Sequence, residues 1–235
     1  MKKPSFVNEG IYHVYNRGVE KRAIFLDDHD YFRFLYGLHE FNDKHPAYNS
    51  YYKESSPELY EAKPRKEYIL KDREQIVHIF AFTLMDNHFH LFLQQIQDDG
   101  IVRFMHKLGT GYTGFFNKKY DRVGHLFQGP FKAVLVEKES QLLYLPHYIH
   151  SNPLDLTFPF WREKGIGDSI QAEHILEGYP YSSYSAYTGK NDLSFILEKE
   201  FLSKILGGPE QHKKDMQKWL AERSPTDGIE NIVLK

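Results

Sequence analysis

Residues 75–94 limit the fold of this chain more than any other stretch. QIVHIFAFTLM (75–85) and HFHLFLQ (88–94) are runs of β-branched, aromatic and aliphatic residues separated only by Asp86-Asn87. Two strand-like runs joined by two turn-forming residues fold back on each other as an antiparallel hairpin. An antiparallel sheet therefore sits at the centre of the fold.

The flanking segments supply the rest of the layout. IYHVYN (11–16) reads as a strand that turns at Arg17-Gly18. Asp27 and Asp28 cap a helix in which Tyr31, Phe34, Leu35, Leu38 and Phe41 recur at helical spacing. Ile101, Phe104, Met105, Leu108, Tyr112 and Phe115 mark a second amphipathic helix. Gly109, Gly111 and Gly114 within it point to a close approach of another backbone or a ligand. KAVLVE (132–137) is a further strand, and a helix from Ser140 to about Ser151 stops at Pro153. The order β-α-β-β-α-β, then a helix, predicts an α+β, ferredoxin-like antiparallel sheet with helices on one face, followed by one more helix and a C-terminal helical extension. Residues 1–156 form this domain. Residues 43–74, with three prolines and seven charges of each sign, read as an inserted surface loop. Residues 157–235 form a C-terminal extension, with helices at 197–206 and 209–222.

Bulk properties narrow the chemistry. There is no cysteine, so thiolate metal sites, disulfides and cysteine nucleophiles are excluded. A metal would be held by histidine, carboxylate, amide or water, which favours magnesium or manganese, or zinc through imidazole. The N-terminus lacks the apolar run of a signal peptide and no stretch approaches a membrane span, so a cytoplasmic protein with no membrane partner is expected. A net charge of −2 gives no general attraction to nucleic acid. Locally, residues 101–135 carry Arg103, Lys107, Lys118, Lys119, Arg122 and Lys132 against Asp121 alone, mixed with seven Phe and Tyr residues. Two readings fit that mixture: a surface for single-stranded nucleic acid, or a solvated helix face whose aromatics are core.

His88 and His90 stand two apart on a strand, so both imidazoles project to one side about 6.5–7 Å apart. With 13 histidines in 235 residues, chance supplies roughly 0.7 such pairs, so the pair alone proves nothing. The apolar residues after it, with no acid before Asp98, disfavour a metallo-β-lactamase-like site. A third ligand has to come from elsewhere. LPHYIHSNP (145–153) offers Tyr148 and Asn152 one helical turn apart: an amide oxygen that suits a hard cation beside a hydroxyl nucleophile. Pro153 is expected to push Asn152 out of regular helix geometry. With 17 tyrosines in the chain, only the combination with the histidines singles out Tyr148.

In order, GIYHVYNRGVEKRAIFLDDHDYFRF, MDNHFHLFL, GHLFQGPFKAVLVE, YIHSNP and YPYSSYSAY resemble the IS200-like tyrosine transposases of the HUH superfamily. The nearest branch is the one associated with repetitive extragenic palindromes. The likeness covers about residues 9–155, with YPYSSY at 179–184 as a further block. It implies that Tyr148 is the nucleophile and that His88, His90 and Asn152 hold Mg2+ or Mn2+. The implied activity is cleavage and rejoining of single-stranded DNA beside a hairpin, through a 5′-phosphotyrosine and a free 3′-hydroxyl. The alternative is a domesticated hairpin-binding module that no longer transposes. The implied location is the cytoplasm, with the nucleoid, as a monomer or homodimer. Asn16, Arg17, Lys21 and Arg22 match the family's polar NRG segment and join the 101–135 cations as expected DNA contacts. YPYSSY reads as a packing and turn element. Two departures stand out: Pro146, two residues before Tyr148 within the expected helix, and Pro130, where relatives often carry a basic residue. Because histidine must be neutral to bind a metal, activity is expected to fall below roughly pH 6.

Overall fold

A computed structural model describes residues 4–46 and 73–222. Four strands form one antiparallel sheet: β1 (Ile11–Arg17), β2 (Val77–Met85), β3 (His88–Gln95) and β4 (Lys132–Leu135), in the order β2-β3-β1-β4. Helix α1 (Asp28–Glu40) joins β1 to β2 across the 43–74 insertion, and α2 (Gly100–Lys119) joins β3 to β4. This is the expected ferredoxin-like α+β arrangement. Residues 47–72 of the insertion lie outside the described residues.

Local chemistry starts and places these elements. The Asp27 side chain accepts a hydrogen bond from the Asp30 N–H and so caps α1. At Gly111 a Cβ would collide with the ring of Phe41, so α2 comes this close to the end of α1 only with glycine there. The expected close approach does not extend to Gly109, where a Cβ would meet nothing within 4 Å.

Side chains alternate along each strand, so the sheet has two distinct faces. One face carries Val14, Leu84, Phe89 and Leu91 and is covered by α1 and α2: Phe34 packs on Phe89 at 4.9 Å and Tyr112 on Phe34 at 5.0 Å between ring centroids. Burying these aromatics contributes roughly 1.5–3 kcal/mol each. The other face carries His13, Tyr15 and Arg17 on β1, with Tyr15 opposite both His90 and Lys132, Arg17 opposite His88, and Thr83 opposite His90. Helix α3 (Glu139–Ser151) lies on this second face, where the Thr83 hydroxyl donates to the Ile149 carbonyl at 2.7 Å.

α3 runs through Pro146 as one continuous helix. Asn152 departs from expectation: it keeps helical dihedrals (φ −53°, ψ −37°) despite the following proline. Its side-chain amide supplies the reason, donating to the Tyr148 carbonyl at 2.7 Å and to the Ile149 carbonyl at 3.3 Å and so holding the last turn closed.

Among the described residues six further helices follow: α4 (Leu154–Thr157), α5 (Trp161–Lys164), α6 (Ser169–Gly178), α7 (Tyr184–Tyr187), α8 (Lys199–Leu206) and α9 (Pro209–Ala221). Sequence periodicity anticipates only α8 and α9. The segment 179–184 runs along the outer edge of β2, where the Leu84 N–H donates to the Tyr181 carbonyl at 2.9 Å and the Ser183 N–H to the Phe82 carbonyl at 3.0 Å. YPYSSY thus covers an otherwise open strand edge. Tyr181, Tyr187, Leu193, Leu197 and Leu202 join the main core, and a second apolar cluster of Leu154, Trp161, Leu176, Met216 and Leu220 ties α4, α5, α6 and α9 together. Among the described residues, no helix is long and apolar enough to cross a membrane.

Candidate active site

β3 sets His88 and His90 on the face beneath α3, with ring centroids 5.1 Å apart and planes nearly perpendicular. His88 donates from Nδ1–H to the Asn87 side-chain oxygen at 2.6 Å, which leaves the lone pair on its Nε2. His90 is fully buried, with its Nδ1 2.8 Å from Nε2 of His13. Among the described residues its own Nε2 has no hydrogen-bond partner. An unsatisfied buried polar atom costs about 1–3 kcal/mol, so it marks a position where a ligand would be favourable.

Burial, and then the positive charges of Arg17 and Arg162, push His88 down to about 3. Burial, followed by the neighbouring His13 and His88, holds His90 well below the usual imidazole range. Both rings are therefore neutral at every pH near neutrality, and their lone pairs are available there. Desolvation, together with the two guanidinium groups, thus holds both imidazoles in the unprotonated form that a metal requires.

Tyr148 projects from α3 with its ring edge-on to His90 at 5.6 Å and to His13 at 5.9 Å, and is almost completely buried. Asn152 lies one turn later, with its amide nitrogen committed to helix carbonyls and its oxygen accepting from Arg162 Nη2 at 3.4 Å. The Arg162 guanidinium lies 5.1 Å from the Tyr148 ring centroid. The structure thus brings His88, His90, Tyr148 and Asn152 to one place, bordered by Arg17 and Lys132 on the same sheet face.

Two members of this constellation go unnoticed in the sequence. His13 alternates with Tyr15 and Arg17 on β1, so the same i, i+2 logic that exposes His88 and His90 could have found it. Arg162 gives no such signal, because it reaches the site from a four-residue helix in the extension.

The remaining expected DNA contacts do not converge here. α2 packs on the opposite face, and the cations on it, with Arg122 just beyond its end, bind the protein itself. Arg103 donates to the Lys44 carbonyl at 2.8 Å, Lys107 to the His45 carbonyl at 2.7 Å, and Arg122 to the Asn117 side chain at 3.0 Å. Lys119 pairs with Asp27 at 2.6 Å and Asp30 at 2.8 Å, and Lys118 lies in the last turn of α2 beside it. Phe104, Tyr112, Phe115 and Phe116 are buried in the core, so these four rings are packing residues rather than platforms for bases. Asn16 points away from the histidines and donates to the Gly129 carbonyl at 3.1 Å. Lys21 is exposed, and Arg22 pairs with Glu20 at 3.3 Å.

Among the described residues, no group of three or more histidine, aspartate or glutamate side chains is arranged to hold a metal. The donors that suit a divalent ion are the two imidazoles. The tautomer with the proton on His90 Nδ1 places a lone pair on its orphaned Nε2, matching the lone pair on His88 Nε2. Asn152 Oδ1 lies 3.4 Å from Arg162 Nη2, a long contact that leaves the amide oxygen a second lone pair for the role of third donor.

Comparison with known proteins finds a family model and solved structures that resemble this chain. Residues 61–152 match the family model described as "Transposase IS200 like", a segment that contains His88, His90, Tyr148 and Asn152. No curated protein matches. A solved REP-associated tyrosine transposase bound to a REP hairpin aligns over 81% of this chain and 86% of that one, at 11% identity and a TM-score of 0.47.

Proposed function

We propose that this chain, whose residues 61–152 match the IS200-like transposases, cleaves and rejoins single-stranded DNA beside hairpins with Tyr148 as its nucleophile. The observation that carries this reading is the contact of Tyr148 with the histidines: a buried phenol ring edge-on to His90 and His13, with His88 alongside. In the reaction the Tyr148 oxygen forms a bond to phosphorus and the P–O3′ bond breaks. The products are a 5′-phosphotyrosine and a 3′-hydroxyl, and the phenolic proton ends on that hydroxyl by way of solvent. Because phosphodiester energy is retained in the tyrosyl linkage, a DNA 3′-hydroxyl reverses the step on another strand.

His88 and His90 would hold the divalent ion through their Nε2 atoms. Bound there, the ion would supply Lewis-acid polarisation of the scissile phosphate and neutralise its growing charge. Two imidazole donors favour manganese over magnesium. The protein's own contribution is to keep both imidazoles neutral and to fix Tyr148 against them.

The test is a covalent adduct on denaturing gels. Wild-type protein, hairpin oligonucleotides with single-stranded flanks and Mn2+ should give a protein–DNA band that Tyr148→Phe and chelation both abolish. A band that survives Tyr148→Phe rejects the nucleophile. Hairpin binding with no adduct on any flank rejects the enzyme in favour of a binding module.

A further inference from the structure

α5 carries a guanidinium into this site from beyond the segment that matches the family. Four contacts fix it. Arg162 lies 4.5 Å from the Trp161 ring centroid and 5.1 Å from that of Tyr148. Its Nε is 3.3 Å from Asp155 Oδ1, and its Nη2 is 3.4 Å from Asn152 Oδ1. Asp155 is itself anchored, because the indole N–H of the buried Trp161 donates to it at 2.6 Å. The guanidinium is therefore held over the tyrosine by a small built frame.

Both polar contacts are long for charge-assisted hydrogen bonds, which settle near 2.7–2.9 Å. They use Nε and one Nη2 donor of a group that offers five N–H bonds. About a third of the Arg162 side chain remains open to solvent (34%), so an incoming anion has access to the remaining donors. Arg17 faces the same histidines from the sheet, opposite His88. The positive charge of both arginines reaches His88 and His90. Asp155 is the acid paired with Arg162, and no carboxylate intervenes between Arg162 and Tyr148 among the described contacts.

We infer that Arg162 is a phosphate clamp. Its remaining N–H donors take a non-bridging oxygen of the phosphodiester that Tyr148 attacks, while Asn152, Asp155 and Trp161 hold the guanidinium in place. Asn152 is then a positioning residue for Arg162. This inference rests on the reading of Tyr148 as nucleophile. As the Tyr148 oxygen bonds to phosphorus and the P–O3′ bond breaks, negative charge grows on the non-bridging oxygens, and a preset guanidinium stabilises it without reorganising.

Two measurements test the clamp, one of which needs no catalysis. In single-turnover adduct assays Arg162→Ala should slow adduct formation about a hundredfold, the scale of losing one preset donor, with hairpin affinity changed less than about threefold. Arg162→Lys should restore part of the rate, since it returns the charge without the planar fork. In Tyr148→Phe protein, the Arg162 Nε–H NMR signal should move on adding decathymidylate and stay in place with its uncharged methylphosphonate analogue. A wild-type rate in Arg162→Ala, or an unmoved Nε–H signal, overturns the clamp. So does a rate loss that Arg162→Lys leaves unrelieved while the Arg162→Ala unfolding midpoint falls, because that pattern is structural. If the signal moves but wild-type protein forms no adduct, Arg162 binds a DNA phosphate while the nucleophile assignment, and with it the clamp's role in cleavage, fails.

Discussion

His13 Nε2 and His90 Nδ1 lie 2.8 Å apart, with both side chains fully buried and their rings stacked at 5.0 Å between centroids. One nitrogen of this pair donates and the other accepts, so His13 selects which His90 nitrogen carries the proton. It thereby decides whether the orphaned His90 Nε2 offers a lone pair to a ligand. Replacing His13 with Phe should lower Mn2+ affinity about 10- to 100-fold, the usual effect of losing a residue that orients a ligating histidine. His13→Gln, which keeps a hydrogen-bonding group, should lose less. Titration calorimetry with Mn2+ and each purified variant decides the matter, and equal affinities for wild type and His13→Phe would remove His13 from any orienting role.

The separation of cations between the two sheet faces gives a second prediction. Arg17 and Lys132 lie on the face of the histidines, whereas Arg103 and Lys107 are bound to the 43–46 loop on the other side. Each phosphate contact on a single strand adds about 0.7 to the dependence of log affinity on log salt. Arg17→Ala and Lys132→Ala should each reduce that slope by about 0.7 for single-stranded DNA, measured by fluorescence anisotropy. Arg103→Ala and Lys107→Ala should leave it unchanged. A reversed pattern would move the DNA path to α2.

Lys119, which charge patterning alone offers to DNA, has a structural assignment instead. It bridges the α1 cap residue Asp27 and the completely buried Asp30, which also accepts from the Tyr120 hydroxyl and the Leu26 N–H, both at 2.8 Å. Removing one partner leaves a buried carboxylate short of its counter-charge. Since Lys119 is itself partly solvated, Lys119→Met should cost roughly 2 kcal/mol. Urea unfolding should show this as a lower midpoint with DNA affinity unaltered; weaker DNA binding at unchanged stability would contradict the assignment.

The layout was legible in the sequence because it is written in short-range pattern. The Asp86-Asn87 turn sets the β2–β3 hairpin, and alternation puts His88 and His90 on one face. Tyr148 and Asn152 are one turn apart, so their proximity needs only a helix. What pattern alone does not contain is which face of α2 is solvated, since Lys119 owes its role to Asp30, far away in sequence. Arg162 was equally out of reach. Its four-residue helix has too few turns for periodicity, and its place depends on Trp161 packing with Leu176 and Leu220 in the second core. Asn152 was read as a residue displaced by Pro153; its own side chain, bonded back to Tyr148 and Ile149, overrides the proline preference.

A cluster behind the nucleophile helix should make stability depend on pH. His150 is fully buried, with Nε2 2.8 Å from the Ser183 hydroxyl and Nδ1 3.3 Å from His212 Nε2. The His147 ring lies 5.2 Å from that of His212, and its Nδ1–H donates to the Leu143 carbonyl at 3.0 Å. Burial, then the nearby His147, pushes His150 down to about 3. Burial, then His150 and His147, holds His212 well below the usual range. Burial also lowers His147, against the opposing pull of the Leu143 carbonyl and Asp215. All three are depressed in the fold, so below about pH 6.5 the unfolded chain takes up protons that the native chain refuses. Their contribution to stability is then constant above that pH and declines as pH falls toward the native values, each histidine steepening the decline by about 1.4 kcal/mol per pH unit. His212→Leu removes one such proton and should flatten the slope of unfolding free energy between pH 6 and 4.5. It should also lower stability at every pH, since His150 Nδ1 loses its partner. The slope, read from urea titrations across that range, separates the two effects, and parallel curves for wild type and variant would mean that His212 is protonated in the native state.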